Sequence, residues 1–537
     1  MGIFGPHSDA GTSNLFKIYA NIFIAFIGAG VLGLPYAFKE AGILEGICIM
    51  TLVGVISVRS MLLLVECKYR IIHKWEMGDD VDSNSEDSFS NAASTPVERV
   101  DLLRSEELLI TGMKDSIRPL YSFMTGNQDI SYGDVGYEAF GSAGRLLVDF
   151  AIVLSQIGFC CAYLIFICRN MSDIVPHIEM GHWLLIVLPL LSLLTLLRHL
   201  NSLALTSLLA QFSIVSALSV VLWFDFEHSR SVRIHPREIS FENLPFFFVI
   251  AVYCFEGAGL ILSLEGSLAK DIRHKFSNCE FRRYFILTMV FVTLLYISFG
   301  VCGYLSFGDD TNQIITLNLP KGSGFDFGLV VKSCLCLALF FTYPVMMFPV
   351  MKILEHYFIP DAGKTVWKGN ILRGLVVLLT GMIVILVPNF ADLMALVGAC
   401  FCTMLSFIMP GVFHMRLFKG NMSLKQLMFD WLLVIVGVLG TFFGAWNALV
   451  HMSGTDIVNK IYTDTSVQST TVTQSLMSTT LNVTDLARQN GTGTLTKSIV
   501  TPFVPFINTT TQMVTEIMNA TGVNGLLRIW NQTSSKS

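Results

Sequence analysis

FKIYANIFIAFIGAGVLGLPYAF (residues 16–38) is a run of about twenty apolar residues, the length that crosses the hydrocarbon core of a bilayer as a helix. Its middle is interrupted by Gly28, Gly30 and Gly33, and then by Pro35. A helix in hydrocarbon must satisfy its own backbone, so this density of helix breakers is tolerated only where the freed N–H and C=O groups face protein or a wet cavity. The stretch therefore predicts a discontinuous span with a cavity at its break, and function belongs at that cavity. A second reading keeps the glycines for the close approach of a neighbouring helix. A third takes Gly28-Ala29-Gly30-Val31-Leu32-Gly33 as the dinucleotide pattern G-x-G-x-x-G, which needs a preceding soluble strand and an acidic residue about 20 positions on. Pro35 follows too soon, residues 50–56 hold no acid, and both flanks suit lipid, so that reading fails.

The totals agree with a membrane. Of 537 residues, 53% are hydrophobic and 14% charged, against about 25% charged in soluble domains. The net charge of −5 decides nothing, since charge by side of the membrane is what orients such a chain. MGIFGPHSDAGTS at the start lacks the basic and apolar regions of a signal peptide, and Pro6 stands where a myristoylation motif wants Ser or Thr. No Cys-x-x-Cys occurs among the 12 cysteines, which read as small buried hydrophobes rather than as metal ligands or a disulfide framework. No cofactor is expected.

Apolar windows place spans near 16–38, 42–65, 145–168, 182–200, 203–225, 244–267, 284–307, 327–351, 371–391, 393–415 and 429–452, eleven in all. The expected fold is an all-α membrane protein. Residues 1–13 form a short leading segment, 14–452 the transmembrane domain and 453–537 a tail. Residues 72–130, acidic and serine-rich, read as a disordered loop inside that domain. SYGDVGYEAFGSAGR, which follows, reads as ordered and amphipathic. Lys and Arg concentrate on the side of the N-terminus, including Lys270, Arg273, Lys275, Arg282 and Arg283 in one loop, which makes that side cytosolic. An odd number of spans then puts the tail in a lumen or outside the cell. Five Asn-x-Ser/Thr sequons in the tail, at Asn482, Asn490, Asn508, Asn519 and Asn531, are expected glycosylation sites.

The sixth span, LPFFFVIAVYCFEGAGLILSLEGS (244–267), is also broken in its middle, by Glu256-Gly257-Ala258-Gly259. Two interrupted spans in corresponding positions point to an inverted-repeat transporter, in which half-helix N-termini meet an anion and unwound carbonyls meet a cation at the midplane. An α-amino acid carries both charges. GAGVLGLPYAF, SYGDVGYEAFGSAGR, SQIGFCCAYLIFI, CFEGAGLILSLE, GVCGYLSFGD with its following LNLP, FFTYPVMMFPV and LVGACFCTMLSFIMPGVFHMRLF together resemble, in order, the blocks of the amino acid/auxin permease family (amino acid transporter, transmembrane domain). The resemblance is nearest to the vacuolar neutral amino-acid exporters and the proton-coupled amino-acid transporters. It implies eleven helices in a LeuT-like 5+5 inverted repeat with discontinuous helices 1 and 6. Asn21 stands where animal proton-coupled members carry a histidine, and the loop at 308–326 lacks their outer cysteine, which favours the vacuolar branch.

Substrate contacts are expected from the backbone of Gly28, Ala29 and Gly30 and of Gly257, Ala258 and Gly259, because glycine permits both the dihedrals and the close approach. Phe255 is either an aromatic lid or a packing residue. Thr342 and Tyr343, in FFTYP, either line a cation site or, for Thr342, bond their own backbone. Glu256 is an acid in mid-span, costly there and functional by default; it either takes part in proton coupling or bridges the unwound backbone of the break. Gln156 and Tyr163 either face the site or make interhelical hydrogen bonds.

The expected function is secondary active transport of neutral L-amino acids, proton-coupled, by alternating access around a midplane site, in a vacuolar or lysosomal membrane ahead of the plasma membrane. The partners expected are the amino acid, a coupling ion and the bilayer, with no nucleic acid. The alternatives are an amino-acid sensor that transports little and a sodium-coupled carrier. No paired intramembrane nucleophile and base point to an enzyme.

Overall fold

A computed structural model describes residues 19–86 except 20, 21 and 24, then 130–196, parts of 213–223, and 243–266, 279–319, 327–359 and 366–453. Asn21, the five sequons, the greater part of the expected span 203–225 and the tail from 454 lie outside the described residues.

The first span is helical at 22, 23, 25 and 26, loses its winding at Ile27 and Gly28, and resumes as a 3₁₀ turn, Ala29–Gly33, that runs into α1 (Leu34–Ala41). Pro35 sits in the first turn of α1, where its missing N–H would have had no helical partner anyway. Gly42 ends α1 with φ +97°, a conformation that suits glycine, and the chain turns into α2 (Ile43–Glu86). Helix α2 continues past 72 into the stretch expected to be loop, since nothing in CKYRIIHKWEM breaks a helix.

SYGDVGYEAFGSAGR is ordered, as expected. It forms α3 (Tyr132–Phe140), started by a capping box in which the Ser131 side chain accepts from Asp134 N–H (3.2 Å) and the Asp134 carboxylate accepts from Ser131 N–H (2.9 Å). Gly141, with φ +67°, turns the chain into α4 (Ser142–Ile174), and Gly136 and Gly144 let the two helices touch backbone to backbone. The 33 residues of α4 reach about 50 Å. In its most apolar stretch 83% of α4 is buried, so it is the central strut.

Next come α5 (Met180–Thr195), α6 (Leu244–Cys254), α7 (Ala258–Gly266), α8 (Cys279–Phe307), α9 (Phe327–Phe358), α10 (Val366–Leu386), α11 (Phe390–Leu417) and α12 (Leu424–Ser453). Among the described residues eight helices, counting α6 and α7 as one broken span, are long and apolar enough to cross a membrane, and α5 is shorter at 16 residues. The expected spans at 16–38 and 203–225 are described only in part. Helix α12 is the peripheral one: 22% of its apolar window is buried, and Leu432, Ile435, Leu439, Phe442 and Trp446 face outward as lipid-facing side chains do.

At one end of α4 two 3₁₀ turns, Gly308–Asp310 and Ile315–Asn318, fold over the bundle. Thr316 donates to Asn170 (2.6 Å), Ala391 N–H to Gln313 (3.3 Å) and Lys39 to the Thr311 carbonyl (3.4 Å). At the other end Tyr132 donates to the Leu405 carbonyl (2.8 Å), and burial pushes its phenol pKa well up, so it stays a donor. There also, Lys68 pairs with Glu265 at 2.5 Å and Tyr69 donates to the same carboxylate at 2.6 Å, which ties α7 to α2.

Candidate functional site

The two breaks lie side by side. The first half of span one ends on the Phe26 carbonyl and α6 ends on that of Cys254; a single hydroxyl, Tyr296 on α8, serves both, at 2.6 Å and 3.2 Å. Helix ends leave carbonyls without partners, and in a bilayer such groups must find one. Tyr296, fully buried, is therefore the bracket that holds the two ends together. Gly30 supplies the closeness: a Cβ there would stand 3.1 Å from Cys254 Sγ and 3.2 Å from the Tyr253 ring. Gly257 does the same on the other chain segment, where a Cβ would run into the Phe26 ring.

Between the breaks opens a cavity of about 60 Å³. The first break contributes Ala25, Phe26, Gly28, Ala29 and Gly30 to the wall; the second contributes Tyr253, Cys254, Glu256, Gly257, Gly259 and Leu260. Gln156, Phe159 and Tyr163 from α4, Tyr296 from α8 and Met346 from α9 complete it. Gly28 differs from Gly30 and Gly257. Its backbone is extended, at φ −128° and ψ −170°, and a Cβ there would meet nothing nearer than the Tyr163 hydroxyl at 4.0 Å. Neither strain nor packing asks for glycine, and the space in front of it is the cavity.

The N-termini of the resumed helices behave differently. At the second break Glu256 folds back on its own helix and accepts from Ala258 N–H (3.1 Å), an acid at the positive end of α7. Its other oxygen accepts from Ser406 (2.6 Å) on α11. At the first break Gly28 has no side chain to cap with, and the 3₁₀ turn opens on the cavity. Ser406 is aimed by an irregularity: α11 widens into π-helical turns over Gly398–Cys402 and Met404–Ile408, beside the site. Gly398 lets that turn press on the Val249 carbonyl of α6, and Ser60 of α2 donates to the Ser406 carbonyl.

Of the residues singled out in the sequence, Gly28, Ala29, Gly30, Glu256, Gly257 and Gly259 line the cavity, and so do Gln156 and Tyr163. Ala258 supplies its N–H to Glu256 instead. Phe255 is fully buried with its ring 5.3 Å from that of Tyr296, next to Gly54 of α2, and lies off the cavity wall. Thr342 donates to its own Ala338 carbonyl (2.8 Å) and Tyr343 bonds Thr380 of α10 (2.8 Å), so neither faces the cavity; Met346, one turn on, is the α9 residue that does. Tyr296, Ser406 and Tyr253 were not singled out. The signal for Tyr296 was a tyrosine inside the apolar run FVTLLYISFG.

The sequence profile described as "Transmembrane amino acid transporter protein" matches residues 11–83 and 110–450. The chain belongs to this amino acid transporter family. Among its relatives, "Amino acid transporter AVT3B" of Arabidopsis thaliana is 34% identical over 461 residues, covering 82% of this chain and 94% of that protein. "Amino acid transporter ANT1" of the same plant is 30% identical over 454 residues, covering 80% and 91%. Among solved structures, the chain is similar to a Na+-coupled sialic acid symporter in a substrate-bound outward-open state, with 10% identity, a TM-score of 0.37 and coverage of 81% and 96%. As an amino acid transporter of this family, the protein is an integral, multi-pass membrane protein whose substrate is a small molecule.

Proposed function

We propose that this chain is a secondary active carrier of neutral L-amino acids, proton-coupled, working by alternating access of a LeuT-like 5+5 repeat of eleven helices around the cavity between its two breaks. The observation that carries the reading is the bracket at Tyr296, which brings two half-helix ends to one small cavity with Gly28 open in front of it. The carboxylate of the substrate binds at the start of the resumed first helix, over Gly28, Ala29 and Gly30, where peptide N–H groups and the helix dipole favour an anion. Gly257 and Gly259 complete the backbone contacts, with the Ala258 N–H held by Glu256.

Glu256 is the coupling residue. Its carboxyl joins α7 to Ser406 on α11, so protonation alters a bond between two elements that border the site. Phe255 acts through the Tyr296 ring rather than as a lid, and Thr342 and Tyr343 bias α9 from behind the wall. The N-terminus is cytosolic, and the tail, glycosylated at Asn482, Asn490, Asn508, Asn519 and Asn531, lies in the lumen of a vacuole or lysosome.

The test is counterflow of labelled neutral amino acids in proteoliposomes holding the full chain, with a proton or a sodium gradient imposed in turn. Uptake driven by acid outside supports the reading. Uptake that needs sodium replaces the ion, and the absence of any amino-acid exchange overturns transport.

A further inference from the structure

Two residues that line the cavity each carry a polar side-chain atom buried without a hydrogen-bond partner: Gln156 its Oε1, on α4, and Tyr253 its hydroxyl, on α6. Buried polar atoms are nearly always paired, and each one left alone costs as much as a lost hydrogen bond. Both groups are uncharged. Tyr253 is held by Phe159, its ring centroid 4.7 Å away in an edge-on contact, and by the Gly30 backbone beneath it. Gln156, Phe159 and Tyr163 recur at helical spacing along one face of α4, so the amide, the ring support and the Tyr163 hydroxyl beside Gly28 form one stripe.

From this we infer that Gln156 and Tyr253 read the substrate's side chain and select neutral amino acids that carry a hydroxyl or amide there over apolar ones of the same shape. The inference rests on the transport reading above. The Phe26 and Cys254 carbonyls have Tyr296, and the start of α7 has Glu256. The first break is left for the charged head of the amino acid, which every substrate shares. An amide oxygen and a phenol that lack partners are then the polar groups whose demands an alanine or valine side chain leaves unmet and a serine or threonine side chain meets. A site built to hydrogen-bond a substrate hydroxyl rejects the analogue without it far more strongly than an apolar pocket rejects an added hydroxyl.

Threonine and valine have the same shape, so they isolate the effect. Wild-type protein in proteoliposomes exchanging labelled alanine is challenged with each as competitor. Threonine is expected to compete roughly tenfold or more better than valine, the size that one unpaired buried partner gives. In Gln156→Met and in Tyr253→Phe the threonine advantage shrinks to within about threefold while valine competes as well as before or better. Tyr253→Phe keeps the ring against Phe159 and Gly30, so it reads the hydroxyl even where the α4 variant fails to fold, which thermal unfolding in detergent reports. Equal competition by threonine and valine in the wild type overturns the inference. So does a Gln156→Met variant that weakens both by the same factor, since that is contact with the shared amino group. A wild type that exchanges no amino acid overturns the transport reading instead, and this inference with it.

Discussion

Adding one methyl group at Gly28 separates a ligand cavity from a packing defect. The backbone there is extended and open to any residue, and a Cβ has 4.0 Å of clearance to its nearest neighbour, so Gly28→Ala adds no strain and no clash within the protein. The methyl projects into a cavity of about 60 Å³ that a substrate must also enter. Inserting a methyl where another molecule has to fit costs about 1–3 kcal/mol, which is about 5- to 150-fold in affinity. Counterflow should therefore show KM raised by that factor for every substrate, with thermal stability in detergent close to wild type. Gly257→Ala is the control with opposite signature, because its Cβ runs into the Phe26 ring, and the fold suffers first. A Gly28→Ala carrier with the wild-type KM, or one that loses stability in step with activity, would refute the placement of the substrate.

Tyr296→Phe strands the Phe26 and Cys254 carbonyls and should lower stability by about 1–3 kcal/mol together with turnover, read by thermal unfolding and initial rates. Glu256→Gln keeps an oxygen for Ala258 N–H but cannot ionise; gradient-driven uptake should vanish while counterflow at fixed pH survives, and retained acid-driven uptake would remove Glu256 from coupling. Lys68→Met leaves Glu265 buried without its ammonium and should cost about 3–5 kcal/mol, whereas the double change Lys68→Met with Glu265→Leu should recover part of it; a double-mutant cycle measures the difference. Ser406→Ala takes one hydrogen bond from Glu256, and its effect on the pH profile of uptake should exceed its effect on stability.

The two breaks were legible because glycine and proline leave a mark in an apolar run that no packing can hide. Glu256 was legible for the same reason, as an acid where acids are costly. Which side chain faces the gap was not. Tyr253 lies in the last turn of α6 and Phe255 just past its end, both buried, and apolar sequence on all sides of α6 gives no clue to which of them lines the cavity. Tyr296 is one aromatic among many until the rotation of α8, set by its packing on α1 and α2, aims it at the Phe26 carbonyl. Ser406 depended on π-helical turns, which shift the register of one side chain without a residue type that announces them.

One phenolic proton stands between two acceptors of unequal claim. At 2.6 Å the oxygen of Phe26 holds it more firmly than that of Cys254 at 3.2 Å, so a motion that parts the pair loosens α6 before it frees span one. The joint is therefore asymmetric, tighter on span one than on α6.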